Sequence, residues 1–117
     1  MDNQSLGKFG EDAATKLVEE KGYTILERNY RALGTEIDII AMDRGILVFI
    51  EVKTRTSRKY GNAYEAVNSF KMKNIINTSL SYIMKNNLES SQVRYDIIEV
   101  YVNENLVNHI ENAFELN

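Results

Sequence analysis

Asp38, Glu51 and Lys53, with Glu36 beside them, are residue types that together can hold a divalent cation and act on a phosphate ester. Their spacing brings them together. Residues 35–42 and 46–54 are rich in β-branched side chains and flank the turn-like Asp43-Arg44-Gly45. With Arg44 and Gly45 as the loop, Asp43 pairs with Ile46, Ala41 with Val48 and Ile39 with Ile50. Asp38 then falls opposite Glu51 and Glu36 opposite Lys53. Opposed residues share a face of the sheet, as do residues two apart on one strand. The four therefore project from one face at one end of the hairpin. The rest of that face is Ile40, Met42, Leu47 and Phe49. The other face, Ile37, Ile39, Ala41, Val48, Ile50 and Val52, is wholly apolar.

A hairpin buried on both faces but charged at one end calls for an explanation. Two like charges placed opposite each other cost about 0.2–1 kcal/mol, more when partly buried. A divalent cation removes that cost. Mg²⁺ takes one or two carboxylates and completes its shell with waters and substrate phosphates. Asp38 and Glu51 supply the carboxylates, and the Val52 carbonyl is a further candidate oxygen. Such an ion, Mg²⁺ or Mn²⁺, activates a water and stabilises charge developing at phosphorus. Lys53 is placed to orient or deprotonate that water, or to neutralise the phosphate; acting as a base requires a depressed pKa. Taken alone, Glu51-x-Lys53 also fits an ordinary ion pair on an amphipathic strand.

Beyond Lys53 come Arg55, Arg58 and Lys59 with no acid among them, and Lys71 follows on a helix where it can face the strand carrying Glu51. This basic run is a candidate phosphate grip, and equally a solvated loop. Tyr60 and Tyr64 are candidates for base stacking or for simple packing. His109, the sole histidine, lies on a predicted edge strand and reads as structural.

The elements that position these groups are legible in the periodicity. Leu6, Phe9, Ala13, Ala14, Leu17 and Val18 mark a helix from about Ser5 to Lys21, with Ser5 as N-cap and Gly22 as its stop. Strands are predicted over 23–30, 35–42 and 46–54. A helix runs from Gly61 to about Lys85, with Asn62 and Glu65 as a capping pair or Ser69 capping a second piece. Strands follow over 93–102 and 106–114. The order αβββαββ implies an antiparallel meander, a crossover helix and a parallel fourth strand. The outcome is a mixed sheet flanked by helices in a single α/β domain over 1–117.

Composition narrows the class. The chain has 117 residues, 44% of them hydrophobic and 26% charged, as expected for one globular domain. The absence of cysteine excludes disulfides, thiolate metal sites and thiol nucleophiles. The polar start Met1-Asp2-Asn3-Gln4-Ser5 is unlike a signal peptide, and no apolar run is long enough to cross a membrane, so a cytoplasmic location is expected. The net charge of −3 argues against a nonspecific nucleic-acid coat but not against a local basic face.

The motifs also carry a resemblance. Gly7-x-x-Gly10-Glu11 opens a helix. Gly34-Thr35-Glu36-Ile37-Asp38-Ile39-Ile40 and Phe49-Ile50-Glu51-Val52-Lys53-Thr54-Arg55 follow, then Gly61-x-Ala63, Lys71 and Arg94-Tyr95-Asp96. The chain resembles the YraN-like (UPF0102) family of small bacterial proteins. More distantly it resembles the archaeal Holliday junction resolvases of the PD-(D/E)xK nuclease superfamily. Thr35 stands where glycine is common in the family. The resemblance implies a restriction-endonuclease-like core and a magnesium-dependent endonuclease site acting on DNA, branched or otherwise structured. Asp38 and Glu51 would be metal ligands, Lys53 the catalytic lysine and Glu11 a further acid. On the helix, Glu11 falls at the margin of the buried stripe; an acid in a first helical turn is also explained by the helix dipole. Asp96 is expected to support the end of the sheet. Resolvase-like enzymes pair as dimers, and the last segment has the length to pair edge to edge in a homodimer. The alternative expectation is a nucleic-acid- or protein-binding module that keeps this fold without catalysis.

Overall fold

The computed structural model describes residues 2–57 and 69–115. Helix α1 spans Asn3–Glu20. It starts earlier than the Ser5 cap predicts, because the Asp2 side chain accepts the Ser5 N–H at 2.7 Å and itself caps the helix. It ends as expected. Gly22 takes a left-handed φ of 93°, and the N–H groups of Gly22 and Tyr23 close back on the carbonyls of Glu19 and Val18.

Strands β1 (Thr24–Ala32), β2 (Thr35–Asp43), β3 (Ile46–Arg55), β4 (Gln92–Tyr101) and β5 (Leu106–Phe114) form one sheet in chain order. All neighbours are antiparallel except β3 and β4, which run parallel and are joined by a crossover containing helix α2, Ser69–Lys85. This is the predicted αβββαββ mixed sheet. The start of the crossover helix at Gly61, its Asn62/Glu65 pair, and Arg58, Lys59, Tyr60 and Tyr64 lie outside the described residues.

Each helix covers one face. Ala14 and Val18 of α1 pack on Ile39, Ala41, Val48, Ile50, Val52, Ile98 and Val100. Ile75, Ile76, Tyr82 and Ile83 of α2 pack on Ile40, Leu47, Phe49, Tyr95 and Ile97. Central strands sandwiched in this way must be apolar on both sides, which accounts for the runs at 37–41 and 46–50. The β2–β3 turn is the two-residue loop expected: Asp43 pairs with Ile46, and Arg44 and Gly45 have φ of 47° and 84°.

The register departs from expectation at one place. The β2–β3 ladder ends at Ile39–Ile50, so Asp38 and Glu51, and Glu36 and Lys53, are not ladder partners. The N–H of Val52, which a continued ladder would give to Ile37, is donated instead to Asp38 Oδ2 at 2.7 Å. The side-chain alternation slips here too. Ile37 joins Ile40 in the α2-side core rather than Ile39 on the α1 side. A side-chain acceptor has displaced a backbone one, and the two strands part where it does so.

Two close approaches hold the helices to this region. Gly10 of α1 lies against Thr54 of β3 so closely that a Cβ there would collide with the threonine hydroxyl and stand 2.8 Å from its Cβ. On the opposite face, Thr78 of α2 donates to the Ala32 carbonyl at the end of β1 at 3.2 Å. Among the described residues, no helix is long and apolar enough to cross a membrane.

Candidate metal and phosphate site

The parting of β2 and β3 makes a gap with Asp38 on one side and Glu51 on the other. Both are buried, Asp38 at 7% and Glu51 at 4% exposure. They line a cleft of about 410 Å³ with Gly34, Thr35, Glu36, Phe70, Lys71 and Asn74. Burial and the adjacent Glu51 carboxyl push the Asp38 pKa up to about 8, although the Val52 N–H and Lys71 pull the other way. Glu51 Oε2 is buried and meets Lys71 Nζ at 3.3 Å, an ion pair whose angles fall short of a hydrogen bond. Val52 directs its N–H toward β2, and its carbonyl, which shares that edge of the strand, faces the same gap.

Two lysines border the acids. Lys53 is half-buried, and its pKa is lowered by burial and by the neighbouring Lys71, against the pull of Glu51. For Lys71 burial acts downward too, but Glu51, Lys53 and Asp38 outweigh it and the pKa is raised. The two ammonium groups thus shift in opposite directions.

Glu11 on α1 lies near Asp38 but lines a separate hollow with Arg28 and Asn29. The Asn29 amide donates to both of its oxygens, at 3.0 and 2.9 Å, and Arg28 lies 3.9 Å away. Burial raises its pKa, as does the nearby Asp38, while Asn29 opposes them. Asn29 does this from a left-handed backbone, φ 52°, which asparagine tolerates better than most residues. Arg55 is exposed at the end of β3.

The donors fit a hard divalent cation. Among the described residues, no group of three or more His, Asp or Glu side chains is arranged to hold a metal by itself. Two carboxylates and a carbonyl oxygen, with the shell completed by water and phosphate, are nevertheless a set that Mg²⁺ accepts.

A second polar cluster lies on the α1 side of β4 and β5. Asp96 is fully buried and accepts from Arg94 Nε (2.9 Å) and Nη2 (3.0 Å), from His109 Nε2 (2.7 Å) and from the Asn112 N–H (2.9 Å). Arg94 also reaches Asp43 at 3.1 Å and the Tyr23 hydroxyl at 2.6 Å. Every lone pair of Asp96 is engaged, so the cluster ties strands together, as expected for Asp96 and His109.

The profile of the Uncharacterised protein family UPF0102 matches residues 10–100. The chain belongs to this family. It is 46% identical to a UPF0102 protein of Clostridioides difficile over 114 residues, covering 97% of this chain and 100% of that one. It is 43% identical to a UPF0102 protein of Pelobacter propionicus over 120 residues, 98% and 86% of the two chains. It is 46% identical to one of Persephonella marina over 110 residues, 94% and 93%. The UPF0102 span contains Glu11, Asp38, Glu51, Lys53 and Lys71.

In this UPF0102 protein Asp38, Glu51, Lys53 and Lys71 gather at the gap, and Glu11 stands near Asp38 in the adjoining hollow. Arg55 lies farther along β3, and Arg58 and Lys59 are outside the described residues. Sequence reasoning missed Asn29, which anchors Glu11, and Phe70, which lines the cleft. The only signal for Asn29 was an asparagine inside a strand, where that residue is depleted.

Proposed function

We propose that this protein is a divalent-metal-dependent endonuclease that hydrolyses phosphodiester bonds in DNA, with branched or structured DNA as the preferred substrate. The observation that carries this reading is the buried carboxyl pair Asp38 and Glu51, opening into a cleft that Lys71 also lines, with Lys53 close enough to feel their charge. Two adjacent buried acids are poorly accommodated until a cation joins them. Asp38, Glu51 and the Val52 carbonyl would hold Mg²⁺ or Mn²⁺. The bound ion would lower the pKa of a water and offset charge at phosphorus. Lys53, beside the acids, would orient or deprotonate the attacking water or neutralise the scissile phosphate. Lys71, whose pKa is raised, would meet a non-bridging phosphate oxygen, and Arg55 would contact a flanking phosphate. Glu11, held by Asn29, adds an acid near Asp38.

The test is a calorimetric titration with Mg²⁺ and Mn²⁺, alone and with DNA, on the wild type and on Asp38→Asn/Glu51→Gln. Cleavage of branched, flapped and linear DNA is then assayed, with Lys53→Ala alongside. Metal binding lost in the double variant, and cleavage lost in Lys53→Ala, support the reading. Cleavage that survives both variants refutes it. A second reading, a binding module that keeps this fold without catalysis, rests on Lys71, whose ammonium stands where a cation would meet Glu51. It predicts DNA binding with steep salt dependence and no cleavage.

A further inference from the structure

A large apolar side chain, Phe70, stands exposed in the lining of the cleft, and a second, Leu33, is exposed on the turn next in sequence to the cleft-lining Gly34. Phe70, on the first turn of α2, is 75% exposed, and Leu33 is 72% exposed. Neither contributes to a core: Phe49 and Phe114, by contrast, are buried.

Leu33 is also costly where it stands. Leu33 and Gly34 form the two-residue turn between β1 and β2, with Ala32 paired to Thr35 and φ of 54° and 74°. Such turns favour asparagine, aspartate or glycine, and a leucine in left-handed backbone gains nothing for folding when it buries nothing. The turn is braced, because the Thr78 hydroxyl holds Ala32 against α2. The cleft is therefore bordered by an exposed aromatic ring, Phe70, beside Lys71, with the braced Leu33-Gly34 turn adjoining it.

We propose that this border takes an unpaired nucleobase, stacked on Phe70 with Leu33 against its other edge, so that the substrate is a strand unpaired at the nucleotide beside the scissile phosphate. This rests on the nuclease reading above and specifies its substrate. Flat aromatic faces beside a phosphate-binding cation bind single strands through stacking, which tolerates any base. A continuous duplex keeps its bases stacked inside and offers none to such a ring. A branch point or single-stranded flap offers one.

The experiment is a binding titration by fluorescence anisotropy. The probes are a short fluorescein-labelled oligo-dT strand and the same strand annealed to oligo-dA, with Ca²⁺ replacing Mg²⁺ to hold back turnover. The wild type should prefer the single strand. Phe70→Ala should weaken single-strand binding about tenfold, as loss of one stacked base does, and leave duplex binding unchanged. Phe70→Trp should restore it. Leu33→Asn should raise the melting temperature, since asparagine suits that backbone, and yet weaken single-strand binding, which separates recognition from folding. Single-strand affinity unchanged in Phe70→Ala, or lowered equally on both probes, overturns the stacking proposal alone. A wild type that binds neither probe overturns the nuclease reading and the stacking proposal together.

Discussion

Asp38 accepts the backbone N–H of Val52 at 2.7 Å, in the place a continued ladder would give to the carbonyl of Ile37. This one bond both separates β2 from β3 and points a carboxylate at Glu51. Structure and chemistry therefore respond differently to substitution. Asp38→Asn keeps an oxygen for Val52 and removes the carboxyl that ionises beside Glu51 only as pH approaches 8, so urea denaturation at pH 8 and above should show stability equal to or above wild type, with metal binding lost. Asp38→Ala leaves a buried N–H without a partner and should cost about 1–3 kcal/mol.

The raised pKa of Asp38 makes the metal-free protein sensitive to pH. Its carboxyl titrates at about 8 in the folded state, against an ordinary value near 4 in the unfolded chain. Between these values the folded protein holds a proton that the unfolded chain has released. Its stabilising contribution is complete below about pH 4 and is lost as pH rises to about 8. Melting temperatures should fall over that window, and Asp38→Asn should flatten the slope. Magnesium should stabilise more at pH 8 than at pH 6, because the metal needs the ionised carboxyl.

Asp96 carries the opposite sign. Burial raises its pKa, but His109, Arg94 and the Asn112 N–H outweigh burial and hold it below the ordinary value. Its contribution is present above about pH 4 and disappears as pH falls through the lowered pKa. Asp96→Asn should cost about 3–5 kcal/mol at pH 7, since it breaks a buried ion pair. It should also soften the acid limb of a pH-stability curve.

Gly10→Ala tests how Glu11 is placed. The added methyl meets Thr54 and must push α1 from β3. A loss of about 1–3 kcal/mol in chemical denaturation is expected. Because Glu11 is the next residue, any metal-dependent activity should fall further than that destabilisation explains.

Much of this arrangement is legible before any coordinates. The Asp43–Ile46 turn, the parallel β4 and the helix on each face follow from period and turn chemistry, which are local or nearly so. The site is legible in its members: Asp38, Glu51, Lys53 and Lys71 do meet. Their geometry is not. Strict alternation puts Asp38 across from Glu51, but a carboxylate that competes for a backbone N–H ends the ladder one pair early and turns Ile37 over. That competition is settled by tertiary packing, which periodicity does not encode. Asn29 escapes for a related reason, since only the folded sheet brings its amide to Glu11. The early start of α1 is a contest between two good caps, Asp2 and Ser5, which composition leaves even.

The kinks in the two outer strands bear on how the molecule behaves in a crowd. The register of β1 shifts between Ile25 and Glu27, and Asn29 turns left-handed beyond it. The register of β5 shifts opposite Tyr95–Ile97, where Asn112 is left-handed and its N–H is turned inward to Asp96. A straight edge invites a sixth strand from any passing chain; a bent one with an N–H already committed does not. The same irregularities that tether Glu11 and anchor Asp96 thus make the outer strands poorer templates for fibril growth than straight ones.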